Sequence, residues 1–127
     1  MRNMSFMLTI PQMEAQIKDV TRRIGWWYLL NKNLQAEEEI VMAVQKAQGL
    51  KKGEKIQPIH PIRILSARAE PLSLLTADLE YGYSETLREG FSHLHPWQFV
   101  EMFCDTHKGC TPETIVNRIH FEYLEMS

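Results

Sequence analysis

The sequence predicts a mixed α+β domain of about five strands, able to curl into a small barrel with helices at its ends. Three observations predict it. Short apolar, partly β-branched runs recur along the chain: SFMLTI at 5–10, EIVMAVQK at 39–46, IQPIHPIRILSAR at 56–68 and TIVNRIHFEYL at 114–124. Between the last two runs, Trp97, Val100, Phe103 and Cys104 recur at the spacing of an amphipathic helix. The length of 127 residues is one domain's worth of chain, so a single unit is expected over 1–127, with its core at about 5–124.

Each element has a local reason. Ser5–Ile10 reads as a first strand ending at Pro11, which suits the first turn of a helix because its missing N–H costs nothing there. Met13, Ile17 and Val20 then form one apolar stripe on that helix, leaving Lys18 free to point elsewhere. Thr21–Arg23 is a polar, basic knot before Gly25 and the aromatic group Trp26-Trp27-Tyr28. Asn31, Asn33 and Glu37–Glu39 favour a solvated turn or short helix. Glu39–Lys46 reads as a core strand, and Gln48–Lys55 as a loop with two glycines and three lysines. Ile56–Arg68 alternates as a long strand, with Pro58 and Pro61 at its entry and Glu70-Pro71 as its break. Leu72–Leu79 suits a short helix and Tyr81-Gly82-Tyr83 a turn. Ser84 reads as the cap of a further helix that stops at Gly90. Pro96–His107 is the amphipathic helix, stopped by Lys108-Gly109. Thr114–Leu124 is a terminal strand, expected to bury Ile115, Ile119, Phe121 and Tyr123 while Val116, Arg118, His120 and Glu122 face outward.

Composition narrows the function. Hydrophobic residues make up 44% and charged residues 24%, which argues against disorder. No stretch approaches the roughly 18 consecutive apolar residues of a membrane span, so no membrane association is expected. Arg2, Asn3 and Ser5 interrupt any signal-like apolar start. Two cysteines give no disulfide framework, and a reducing, cytoplasmic setting follows as the expectation. The net charge is −2, yet residues 1–60 hold nine Lys/Arg against six Asp/Glu, or +3, and residues 61–127 hold five against ten, or −5. A strongly basic architectural binder is excluded; a local basic surface is not.

Several residues could carry chemistry. Lys18 and Thr21, three apart, would share one side of a helix, and a lysine beside a threonine hydroxyl is a base–nucleophile pair when burial or neighbouring cations depress the lysine pKa. Arg22 and Arg23 could supply those cations or bind phosphate; equally, the group could be a solvated helix end. Trp26 and Trp27 could stack on unpaired bases, each stack worth about 1–3 kcal/mol, or pack in the core, and the two should face differently. Glu89 gains meaning only if the fold brings it to Lys18 and Thr21. Lys51, Lys52 and Lys55 could extend a basic surface or form a solvated loop. Cys104, His107 and Cys110 invite a zinc reading, but a tetrahedral site wants a fourth ligand that the spacing does not supply, so no metal and no cofactor are expected. No phosphate-binding glycine loop is present in the sequence.

Taken in order, these residues resemble the ASCH family, the activating-signal-cointegrator homology domains of the PUA-like superfamily. Its signature, G-x-K-x-x-T-x-R, aligns with Gln16-Ile17-Lys18-Asp19-Val20-Thr21-Arg22-Arg23, with Gln16 in place of the glycine. The similarity continues through the Trp-containing segment, S-A-R-x-E-P-L, the E-G-F turn at Glu89–Phe91, P-W-Q-F-V and the final strand, over roughly residues 5–124. The layout is similar to small phage and prophage members. The resemblance implies a PUA-like small β-barrel of about five strands with helices packed over a cleft that the signature lines. It implies RNA or nucleoside binding, in which Arg22, Arg23, Trp26, Trp27, Lys51, Lys52 and Arg68 would contact ligand. It also implies an alternative, hydrolysis of an N4-acylated cytidine with Lys18 as base, Thr21 as nucleophile and Glu89 as proton donor. Ribonuclease activity is known among relatives of this kind. A third expectation is a phage accessory module that binds a host protein.

Overall fold

Every residue from 1 to 125 is described by the structure, a computed structural model. Ten short elements follow one another: strand β1 (Arg2–Ser5), helix α1 (Ile10–Glu14), strand β2 (Val20–Arg23), a 3-10 helix (Trp27–Asn31), strands β3 (Ile40–Val44) and β4 (Pro58–Pro71), helices α2 (Leu74–Ala77), α3 (Leu79–Arg88) and α4 (Pro96–Thr106), and strand β5 (Ile115–Tyr123). The five strands form one mixed sheet in the order β1-β3-β4-β5-β2, curled into a half-barrel. Only β1 and β3 run parallel; the remaining neighbours are antiparallel. A register shift between Ile64 and Ser66 bends the long strand β4 where it passes from one half of the molecule to the other.

Alternation along the strands divides the apolar residues between two cores. Met4, Val41, Ile62, Ile64, Ile119 and Phe121 fill the first, on one face of the sheet. Val116 points to the opposite face, where it meets Leu72, Leu75, Phe99, Val100 and Phe103 from the helical layer. The sheet therefore carries buried residues on both faces, and β5, paired to β4 and β2, lies between the two cores.

Several expectations are corrected here. The first strand is Arg2–Ser5 rather than Ser5–Ile10, because the chain leaves the sheet after Phe6 N–H bonds the Val44 carbonyl, and Met7 and Leu8 are exposed. Helix α1 stops at Glu14, since Gln16 takes a left-handed φ of 58°. Ile17 is consequently exposed, Val20 belongs to β2, and Lys18 and Thr21 do not share a helix. Strand β4 runs through Glu70 to Pro71 instead of breaking before them. Tyr81, Gly82 and Tyr83 lie inside α3, which is capped at Asp78, whose carboxylate accepts from Tyr81 N–H, and not at Ser84. The face of β5 expected to be solvated is covered by helices: Val116 and Arg118 are buried, whereas Ile115 is exposed.

Gly82 explains why α3 continues where a turn was expected. A Cβ there would collide with the Leu75 carbonyl of α2 and the Pro96 ring of α4, so its hydrogen lets three helices meet. No helix among the described residues is long and apolar enough to cross a membrane.

Candidate functional site

The site forms where the start of β2 meets the end of α3. Helix α3 closes on a Schellman motif: Phe91 N–H bonds the Thr86 carbonyl and Gly90 N–H bonds the Leu87 carbonyl, with Gly90 at φ 92°. This turn presents Glu89 toward the sheet. On the facing side, the backbone around Lys18 is held from three directions. The Lys18 carbonyl accepts from the Tyr123 hydroxyl at 2.5 Å, Asp19 N–H bonds the Arg88 carbonyl, and the Asp19 carbonyl accepts from Phe121 N–H.

Lys18 and Glu89 are thereby brought together. The ammonium donates to Glu89 Oε1 at 2.6 Å and to the Glu89 carbonyl at 2.8 Å, with both residues no more than 3% exposed. Burial pulls the Lys18 ammonium below the ordinary lysine range; Glu89 opposes the shift, and Arg23 and Arg22 add to it. Thr21, one residue into β2 and 5% exposed, lines the same cleft, together with Arg22 and Arg23.

Behind this pair runs a layer of charges between sheet and helix. Arg22 is a hub: Nη1 donates to Glu89 at 3.2 Å, and Nη2 to Glu85 at 2.6 Å, to Glu70 at 3.1 Å and to the Tyr81 hydroxyl at 3.2 Å. Burial alone would lower its pKa, but the attraction of Glu89, Glu85 and Glu70 outweighs burial and raises it. Arg118 grips Glu85 from β5 with two hydrogen bonds. Arg68 donates to Glu70 and Tyr81, at the outer end of this layer. Arg23 differs from the others. Its guanidinium lies 4.6 Å over the Phe6 ring and donates to the Ser5 carbonyl, its Nε has no partner, and no carboxylate bonds it. Burial, resisted by Glu89, brings its pKa down to about 10.

The cleft itself has a volume of about 480 Å³. Its charged end is Lys18, Glu89 and Arg23. Its walls are aromatic: Phe6 from the sheet side, Phe91 from the α3 turn, Phe99 and Phe103 from α4, and His107 just beyond it. This volume falls in the range of small-molecule sites.

Not every sequence-predicted residue arrives here. Lys18, Thr21, Glu89, Arg22 and Arg23 all line the cleft, and of the first three only Lys18 and Glu89 bond each other; Trp26, Trp27, Lys51, Lys52 and Arg68 do not line it. Trp26, in a left-handed conformation, packs on the first core beside Tyr28, and Trp27 starts the 3-10 helix at 40% exposure. The two tryptophans do face differently, but neither reaches the site. Lys51, Lys52 and Lys55 are exposed on the 48–55 loop, outside the cleft lining. Among the described residues no group of three His, Cys, Asp or Glu side chains is placed to hold a metal ion. His107 Nδ1 is 2.8 Å from the Phe103 carbonyl, and the two cysteine sulfurs face each other at 3.4 Å.

Sequence reasoning missed Glu70, Glu85, Tyr81 and Arg118, and the aromatic walls. One signal was available. Tyr81, Glu85 and Glu89 stand at successive spacings of four, so one helical face carries a hydroxyl and two carboxylates. Two like charges four apart demand cations, and Arg22, Arg68 and Arg118 are the cations of the strands that meet this face.

Comparison with known proteins adds a fold relationship. No family model matches the chain, and no curated protein matches it. Among solved structures, the chain is similar to protein EF3133 of Enterococcus faecalis V583, described by the family name DUF984. The TM-score is 0.50 at 15% sequence identity, over 92% of this chain and 67% of the other. That likeness concerns the fold alone.

Proposed function

We propose that the protein binds a nucleoside-sized ligand, one heteroaromatic base with its attached group, in the cleft between β2 and the α3–α4 layer. The observation that carries this reading is the buried Lys18–Glu89 pair at the end of an aromatic-walled cavity. An ammonium and a carboxylate meet in a cleft that Thr21 also lines, so the ligand's edge must offer both acceptors and donors. Phe91, Phe99 and Phe103 give its faces an apolar lining. A single base meets both requirements. An extended RNA is disfavoured because Trp26, Trp27, Lys51 and Lys52 lie away from the cleft, leaving no continuous track of stacking and phosphate contacts.

Nuclear magnetic resonance titration with a panel of nucleosides tests the proposal. At least one nucleoside should shift the Thr21 and Phe91 resonances, and Lys18→Met should weaken binding about tenfold or more, the cost of one lost charged hydrogen bond. No shift at millimolar nucleoside overturns it. So does RNA binding that survives Lys18→Met but is lost in a Lys51→Ala/Lys52→Ala double variant.

A second reading, amide hydrolysis of an N-acylated nucleobase, is favoured by one observation: Thr21 lines the cleft that holds a lysine with a lowered pKa. A proton moved along the 2.6 Å bond converts the ion pair to neutral lysine and neutral Glu89. The neutral amine then takes the Thr21 hydroxyl proton as oxygen attacks the acyl carbon, and Glu89 gives its proton to the departing amine. Water completes the cycle by releasing the acid from Thr21. Purified protein should then release acetate from N4-acetylcytidine, and Thr21→Ala should abolish the release. Intact substrate after prolonged incubation removes this reading while leaving the binding proposal in place.

A further inference from the structure

Neither cysteine has a part in the proposed site, yet their arrangement is specific. Cys104 lies near the end of α4 and Cys110 on the turn before β5. Both are free and partly exposed, with Sγ atoms 3.4 Å apart. A disulfide needs sulfurs at about 2.05 Å, so closure asks for an approach of only about 1.3 Å. The intervening chain is already folded back: Cys110 N–H donates to the His107 carbonyl at 3.0 Å, and Gly109 has a left-handed φ of 79°.

This short segment links two surfaces. His107, in its middle, stacks on Phe103 with ring centroids 4.0 Å apart, and both residues wall the ligand cleft. On the other side Cys104 lines a second cavity of about 310 Å³ with Trp97, Val100 and Pro112. Partly exposed cysteine pairs closing short loops are the labile kind of disulfide, formed and broken by thiol exchange rather than by folding.

We propose that Cys104 and Cys110 are a reversible dithiol–disulfide modification site whose closure fixes the turn carrying His107 against the cleft. The oxidant is a low-molecular-weight disulfide. Cys110, as thiolate, attacks one of its sulfurs; the oxidant's S–S bond breaks and one small thiol leaves. Cys104 sulfur then attacks Cys110 Sγ, forming the Cys104–Cys110 bond and expelling the second small thiol. Two electrons pass from the cysteines to the oxidant, and both cysteine protons leave on the two released thiols. Cys104 is the resolving member, because it is held in helix α4 whereas Cys110 stands on the exposed turn; burial, helped by the neighbouring Cys110 thiol, also pushes the Cys104 thiol up.

Treating the full chain with excess oxidised glutathione, then following intact mass and amide hydrogen exchange, tests the proposal. Closure should appear as loss of two hydrogens from a monomer without retained glutathione, reversed by dithiothreitol. Exchange over residues 105–110 should slow by about tenfold on closure, as expected when a local opening is suppressed. Cys104→Ser should instead retain one glutathione on Cys110 and show no slowing. Two thiols still free after oxidation, stable glutathione on both cysteines, or a disulfide-linked dimer would each overturn the proposal. An internal disulfide that leaves exchange around His107 unchanged would overturn the link to the cleft.

Discussion

Lys18 and Glu89 are each buried where a lone charge would be costly, so each is the condition for the other. Replacing Glu89 by Gln keeps an oxygen for Lys18 but removes the charge that balances Lys18 and Arg22 Nη1. The expected loss is about 3–5 kcal/mol at neutral pH, the usual cost of stripping one partner from a buried pair. Its pH dependence identifies the cause. Without Glu89 the lysine pKa falls further, the unfolded chain binds more protons than the folded one, and stability rises with pH toward the unfolded lysine value of about 10.4. Urea titrations of Glu89→Gln at pH 7 and pH 10 check this; a variant equally weak at both would place the damage in packing instead. Gln16 offers the opposite change. It occupies a left-handed φ of 58° at the position where the resembled signature has glycine, and its amide touches only His60 at the surface. A non-glycine residue there costs about 1–2 kcal/mol, and glycine gives back part of that in unfolded-chain entropy. Gln16→Gly is therefore expected to raise stability by about 0.5–1 kcal/mol, read as a higher urea midpoint. An unchanged or lower midpoint would mean the Gln16–His60 contact contributes more than its exposure suggests.

Elements succeed or fail in sequence reading according to how much of their environment is local. Helix α4 is legible because its own residues specify it: Pro96 opens it, and a His95–Gln98 capping box fixes its start. Strand β5 is legible as a strand from its period, but not in its exposure, because Arg118 owes its burial to Glu85 on a helix 33 residues earlier in the chain. The stretch 16–21 shows both outcomes. The Lys18-x-x-Thr21 spacing picks out two residues that line one cleft, but for a geometry that does not occur: one stands before β2 and the other within it. The site is made by pairing β2 with β5 and docking the α3 turn, neither of which leaves a local trace. Gly82 is the sharpest case. The tripeptide Tyr81-Gly82-Tyr83 reads as a turn, whereas the glycine permits contact of α3 with α2 and α4. Gly82→Ala should gain helix propensity, about 1 kcal/mol, and still be destabilised by about 2–4 kcal/mol, because a backbone carbonyl and a proline ring would have to move. Ser84→Ala on the exposed side of the same helix supplies the control, expected within about 0.5 kcal/mol of the parent. If Gly82→Ala matches or exceeds the parent in thermal denaturation, the three-helix junction is looser than described.

At the scale of the molecule, the charge layer joins the two halves. Arg22 and Arg118 from the sheet meet Glu85 and Glu89 from α3, with Glu70 and Tyr81 beside them, so the helical layer is fastened to the half-barrel by ions as well as by the second apolar core. The uneven charge along the sequence thus becomes internal pairing: basic β2 is matched by acidic α3. Such a seam must respond to acid. Burial works to raise the Glu85 pKa, but hydrogen bonds from Arg118 and Arg22 and their charges prevail, holding it down to about 2, against an ordinary glutamate value of 4.5. Between those values the unfolded chain binds a proton that the folded chain refuses. The stabilisation is therefore complete above about pH 4.5 and disappears as pH falls through about 2, amounting to about 3 kcal/mol from this one carboxylate. Glu85→Gln should lower stability at pH 7 by at least that amount, since two arginines lose their shared partner. It should also flatten the stability profile between pH 4.5 and pH 2, where the parent falls steeply. Denaturant midpoints measured for both proteins across that window give the comparison. Parallel profiles would mean that Glu85 binds its proton equally well in the folded and the unfolded chain, so that its pairing with Arg22 and Arg118 adds nothing to the seam.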